Sequence, residues 1–148
     1  MPELESIFLI GSFRASSVLI FGAIQSPLVQ PRNFIGGQLI SALIGVTIFK
    51  FGPNIIWTAA PLAVATSIIA MQITKTLHPP GGATALIAVI GTEKIKVLGY
   101  FYIISPVLTG CLILFIIALI FNNVTKHRKY PTNSGLTRVF KSKGLNKK

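Results

Sequence analysis

The residues best suited to chemistry lie together in the run Lys75-Thr76-Leu77-His78-Pro79-Pro80-Gly81-Gly82-Ala83-Thr84. Lys75 and His78 are ionisable and three residues apart, so they share a face if a helix continues that far. Pro79 biases His78 away from helical geometry, which ends the preceding helix at His78. Pro79 and Pro80 hold an extended turn, and Gly81 and Gly82 let the backbone fold back with unhindered amides. A new helix then starts near Ala83, with Thr84 hydrogen-bonding in its first turn. A helix N-terminus carries free N–H groups and about half a positive charge. Set inside a membrane, such a terminus is a ready anion site. The chemistry indicated is therefore anion binding rather than bond making. The plainer alternative is that Lys75 reaches the headgroups and His78 caps a helix.

A related arrangement occurs earlier. Phe13-Arg14-Ala15-Ser16-Ser17 opens a short apolar segment, where Ser16 can present a hydroxyl and an amide as Thr84 does. The polar link Gln25-Ser26-Pro27-Leu28-Val29-Gln30-Pro31-Arg32-Asn33 follows. Arg32 and Asn33 read better as structural and interfacial groups than as ligands.

Enzyme chemistry finds little support. Acid–base and nucleophilic catalysis need titratable groups within hydrogen-bond reach. Glu3, Glu5 and Glu93 are the only carboxylate side chains, and none belongs to a motif with His78. Cys111 is the sole cysteine and His127 the only other histidine. These make no disulfide and no usual zinc set, and no cofactor is implied.

These groups must be positioned by membrane helices. Of 148 residues, 51% are hydrophobic and 11% charged, against roughly 25% charged in soluble domains. Eight of the fourteen Lys and Arg fall in 126–148. The expected organisation is a transmembrane domain over 1–125 and a basic, disordered tail over 126–148. Lys and Arg beside a membrane helix keep a tail cytoplasmic; attraction to anionic lipid is a further reading. Nucleic acid is not expected as a partner, since the tail offers only Tyr130 and Phe140 for stacking.

The fold class is all-α, a polytopic transmembrane bundle with Gly/Pro-broken half-helices. The clearest span, 98–121, has 24 residues without a charged side chain. At 1.5 Å per residue it extends about 36 Å, enough for a hydrocarbon core of about 30 Å. A second span covers 55–77, with Trp57 as an interfacial anchor. A third covers 35–51, where Gly36, Gly37, Ser41, Ala42 and Gly45 give small faces for close packing in lipid. Segments 16–22 and 83–91 are too short to span, and residues 1–10 make a fragment at most. Ala15-Ser16-Ser17-Val18-Leu19-Ile20 parallels Ala83-Thr84-Ala85-Leu86-Ile87-Ala88. Ile40-Ser41-Ala42-Leu43-Ile44 parallels Ile104-Ser105-Pro106-Val107-Leu108. This is either an internal repeat or a chance match of short apolar strings. Three long helices make a stable monomer doubtful, so a homo-oligomer is expected.

His78-Pro79-Pro80, followed by Gly81-Gly82-Ala83-Thr84-Ala85-Leu86, resembles the signature of the HPP family of integral membrane proteins. Gln30-Pro31-Arg32-Asn33-Phe34-Ile35-Gly36-Gly37, and Asn122-Asn123 with Arg128-Lys129-Tyr130-Pro131, support the resemblance over about 13–131. It implies a four- to five-helix membrane protein and, through plastid members linked to nitrite transport, a small inorganic anion as substrate. The substrate-binding residues expected are Lys75, His78, Pro79, Pro80, Gly81, Gly82, Thr84 and Ser16. The location expected is the cell inner (plasma) membrane. The chain departs from the family pattern in two places: it is short before Ala15, and Arg14 stands where glycine is favoured. Those departures favour a second reading, a scaffold or accessory subunit that transports nothing.

Overall fold

In the computed structural model, residues 2–124 and 127–132 are described, residues 2–10 by backbone alone. The fold is all-α. Its helices are α1 Pro2–Gly22, α2 Pro31–Phe51, α3 Ile56–Ile73, α4 Pro80–Ile90, α5 Glu93–Leu98 and α6 Thr109–Val124. A 3₁₀ turn, Pro27–Val29, joins α1 to α2, and a kinked segment, Ile103–Leu108, leads into α6. Among the described residues, three stretches are long and apolar enough to cross a membrane: Pro31–Phe51, Ile56–Ile73 and Ile103–Val124.

Local sequence explains most boundaries. Pro31 and Pro80 sit at the first helical positions of α2 and α4, where the missing N–H costs nothing. α4 stops at Gly91, whose N–H returns to the Ile87 carbonyl. Gly99, at φ +52°, ends α5 in a backbone region that favours glycine.

Three boundaries differ from the sequence expectation. Residues 1–10 are not a fragment: α1 runs unbroken for 21 residues from Pro2, so Ser16 lies in a helix interior and opens no half-helix. The span expected over 98–121 starts later, because Gly99 separates α5 from Ile103. Ser105 also leaves helical geometry, at φ −131° and ψ 117°, as a residue before proline tends to. Finally, α3 ends at Ile73 rather than His78. Lys75 takes φ +55°, its N–H meets the Gln72 carbonyl, and the Thr76 N–H meets Met71. That is the bond pattern of a Schellman cap, with lysine in the place glycine usually holds. Lys75 and His78 therefore share no helix face.

The small face of α2 receives the broken segment. A Cβ on Gly37 would lie 2.7 Å from the His78 Cβ and 2.7 Å from the Thr76 carbonyl oxygen. A Cβ on Gly81 would lie 2.6 Å from Ser41 Oγ, and one on Gly45 would lie 2.5 Å from the Ala85 oxygen. Gly37, Ser41 and Gly45 recur every four residues, the small-xxx-small spacing of close helix pairs in lipid. The ordered contacts place α4 parallel to α2.

They also settle the path of the chain. Arg32 and Asn33, at the start of α2, donate to the Thr74 and Leu77 carbonyls. Beyond α4, Lys96 lies over the Phe49 ring near the end of α2. The segment between α3 and α5 thus passes from one end of the bundle to the other and is not re-entrant.

The tail expectation is only partly within reach. Of 126–148, residues 127–132 are described: His127, Arg128 and Lys129 are exposed and Tyr130 is buried. Residues 133–148 lie outside the described residues.

Candidate functional site

Five polar side chains meet where α1, α2 and the start of α4 converge: Ser12, Ser16, Gln38, His78 and Thr84, all buried. The helix break explains the meeting. Residues 74–79 descend along α2 in irregular backbone, which carries His78 inward to lie against Gly37. The Phe34 ring packs edge-on against its imidazole, with centroids 5.3 Å apart.

The hydrogen bonds have one consistent direction. His78 Nδ1 lies 2.8 Å from the Leu28 carbonyl oxygen. A carbonyl only accepts, so Nδ1 holds the proton and Nε2 is left as an acceptor. Ser16 Oγ, 2.9 Å from Nε2, must then donate to it. The Gln38 amide nitrogen donates to Ser16 Oγ at 3.0 Å and to Ser12 Oγ at 3.2 Å. Thr84 donates its hydroxyl to Gln38 Oε1. Ser12 shares its one hydroxyl proton between the Pro80 carbonyl at 3.0 Å and Thr84 Oγ1 at 2.6 Å, both of which accept from it. Tyr102 Oη closes the far side by donating to the Thr84 carbonyl at 3.2 Å. Every donor has an acceptor, which is the condition for burying polar groups cheaply.

The expected site residues divide accordingly. Ser16, His78 and Thr84 come together in this cluster, and Pro80 joins through its carbonyl. Ser16 and Thr84 occupy matching places in the two similar strings and sit at opposite ends of one amide, that of Gln38. Gly81 and Gly82 are buried, but their amides are not open: they donate to the His78 and Pro79 carbonyls. Pro79 and Pro80 have no N–H, so the α4 N-terminus offers fewer free donors than its sequence suggests. Pro79 and Lys75 are exposed, and no hydrogen bond ties the Lys75 side chain to the cluster. Arg14 also lies apart, exposed on the outer face of α1 in a groove with Phe13, Gly110 and Ile113.

Sequence reading missed Ser12 and Gln38. Gln38 carried a usable signal, an amide within an apolar span and one residue past Gly37. Ser12 carried none, because its helix was not recognised. Among the described residues, no three His, Cys, Asp or Glu side chains gather where a metal could sit. A groove of about 750 Å³ lies between α3 and α4 and is lined by apolar residues such as Trp57, Val64 and Leu86. It does not reach the cluster.

A second set of contacts lies beside the first. Tyr130 Oη donates to the Val29 carbonyl at 2.7 Å, and burial pushes the phenol up to about 12. Asn123 clasps the Tyr130 backbone through both its N–H and its carbonyl. The Thr132 N–H reaches Gln30 Oε1 at 2.9 Å. Leu28, which holds His78, is the neighbour of Val29.

Long apolar helices, a helix broken inside the bundle and a buried polar cluster define a multi-pass membrane protein embedded in the lipid bilayer. The family profile described as "HPP, transmembrane region" matches residues 2–131. A transmembrane protein of Dictyostelium discoideum is 48% identical over 135 residues, covering 87% of this chain and 42% of its own length. A second transmembrane protein of that organism is 49% identical over 127 residues, covering 83% of this chain and 44% of its own. The chain belongs to the HPP family. It spans less than half the length of these relatives. No solved structure matches it.

Proposed function

We propose that the chain carries a small inorganic anion across the membrane, with nitrite the first solute to test. The observation that supports this most directly is the helix break itself, joined to a buried cluster of Ser12, Ser16, Gln38, His78 and Thr84. Irregular backbone at membrane depth is tolerated only inside protein or along a wet cavity. Polar and ionisable groups there mark solute paths by default. In this reading the arrangement is the closed state. Opening separates α4 from α1, and the hydroxyls of Ser12, Ser16 and Thr84 and the Gln38 amide then turn their donors to the anion. Neutral donors suit a monovalent anion that must also leave. Arg32 and Lys75 stand at the end of the bundle from which the break descends and would draw anions toward it. The same reading puts the basic tail in the cytoplasm by the positive-inside bias, the protein in the plasma membrane, and the working form as a homo-oligomer.

A second reading, a scaffold or accessory subunit, is favoured by one observation: every donor in the cluster is satisfied, so the cluster also works as glue between helices. Nitrite uptake into liposomes separates the two. Uptake above empty liposomes that falls at least tenfold in His78→Ala and in the milder Ser16→Ala supports transport through the cluster. Folded protein without uptake supports the scaffold. Uptake that survives both substitutions removes the cluster from the path.

A further inference from the structure

We propose that residues 127–132 form a strap whose docking on Val29 and Gln30 holds the His78 cluster closed. The connection is short and made of named contacts. Tyr130 Oη donates to the Val29 carbonyl, and the Thr132 N–H donates to Gln30 Oε1. The Gln30 amide nitrogen in turn donates to the Ile24 and Ser26 carbonyls, so one side chain ties the strap to both ends of the link after α1. The Leu28 carbonyl, one peptide from the strap's own acceptor, holds His78 Nδ1.

The link transmits displacement because it is stiff. Pro27 and Pro31 bracket it, each with a fixed φ, and Ser26 Oγ accepts the Leu28 N–H. A strap that leaves Val29 therefore shifts the Leu28 carbonyl. His78 then loses the acceptor that fixes its tautomer, and through Nε2 the direction of the Ser16 and Gln38 bonds. The strap itself is seated rather than lying loosely. Tyr130 is 3% exposed, its ring meets Phe115 edge-on at 6.2 Å, and Asn123 at the end of α6 grips its backbone. α6 is thus linked to the α4 N-terminus through Tyr130, Val29, Leu28 and His78.

This inference takes the His78 cluster as the part that opens, as in the proposed function, but it does not depend on the solute. Amide hydrogen exchange on the full chain in lipid nanodiscs tests it directly, comparing the wild type with Tyr130→Phe and Tyr130→Ala. Loss of the hydroxyl contact alone, worth about one net hydrogen bond, corresponds to about fivefold faster exchange. The expected result is that acceleration in Tyr130→Phe, and more in Tyr130→Ala, at amides 28–30 and also at 78 and 81–85, with α3 unchanged. Acceleration at 28–30 alone overturns the coupling. So does uniform acceleration, which would make the strap a general stabiliser, and so does no change. If Tyr130→Ala does not fold, Tyr130→Phe still carries the test. Coupled exchange without nitrite uptake refutes the solute and keeps the strap; uptake without coupled exchange does the reverse.

Discussion

Replacing Gly45 by alanine tests whether α4 truly lies against α2. The added Cβ would sit 2.5 Å from the Ala85 carbonyl oxygen, 2.8 Å from the Ala85 Cα and 2.8 Å from the Ala88 Cβ. Carbon contacts settle near 3.5–4.0 Å, so the two helices must separate by close to 1 Å at this level. Two of the three obstacles are backbone atoms of α4, and no rotamer change relieves them. Overpacking of this kind costs about 1–3 kcal/mol. Alanine recovers about 1 kcal/mol through helix propensity, which leaves a net loss of up to about 2 kcal/mol. Gly82→Ala is the matched control. Its Cβ would meet only Val64 Cγ1 at 3.5 Å, an ordinary contact, so propensity acts alone and stability holds or rises by up to about 1 kcal/mol. Thermal unfolding in detergent micelles, followed by far-ultraviolet circular dichroism, should rank Gly82→Ala at or above the wild type and Gly45→Ala below both. A Gly45→Ala variant as stable as the wild type would falsify the close approach of α4 to α2, and with it the placement of His78 against Gly37.

Two further outcomes follow from local geometry. Lys75→Gly should stabilise the protein by up to about 1 kcal/mol, because glycine removes the left-handed backbone penalty at φ +55°; Lys75→Ala keeps the penalty and should not. If uptake falls in Lys75→Gly while its melting temperature rises, the lysine side chain itself serves the solute. Tyr130 gives a pH test. Its phenol is raised from 10.0 to about 12 in the fold. The folded form therefore holds this proton longer than the unfolded form does, so its contribution is complete below pH 10 and fades as pH rises through about 12. The difference in 295 nm absorbance between the wild type and Tyr130→Phe should titrate near 12. A midpoint near 10 would mean an undocked strap.

Much of this protein was legible in its residues alone. The shortage of charge and the length of the apolar runs made it an all-α membrane protein, because lipid accepts only backbones that satisfy themselves. The Pro-Pro-Gly-Gly run marked a helix break, since proline removes donors and restricts its predecessor. The spacing of Gly37, Ser41 and Gly45 marked a face for close approach. Tertiary structure decided the rest. Ser16 was read as a helix start because Arg14 interrupts the apolar pattern, yet a backbone carries an exposed charge through a helix without breaking. α3 stopped at Ile73 because lysine adopted a glycine-like conformation, which no propensity predicts. The turn at Gly81 and Gly82 looked open as sequence, but its amides close on the carbonyls just before them. Gln38 became the centre of the cluster only when α1 and α4 came to either side of it. Sequence records which groups are polar; which of them meet depends on how far each helix runs and how closely its neighbours approach.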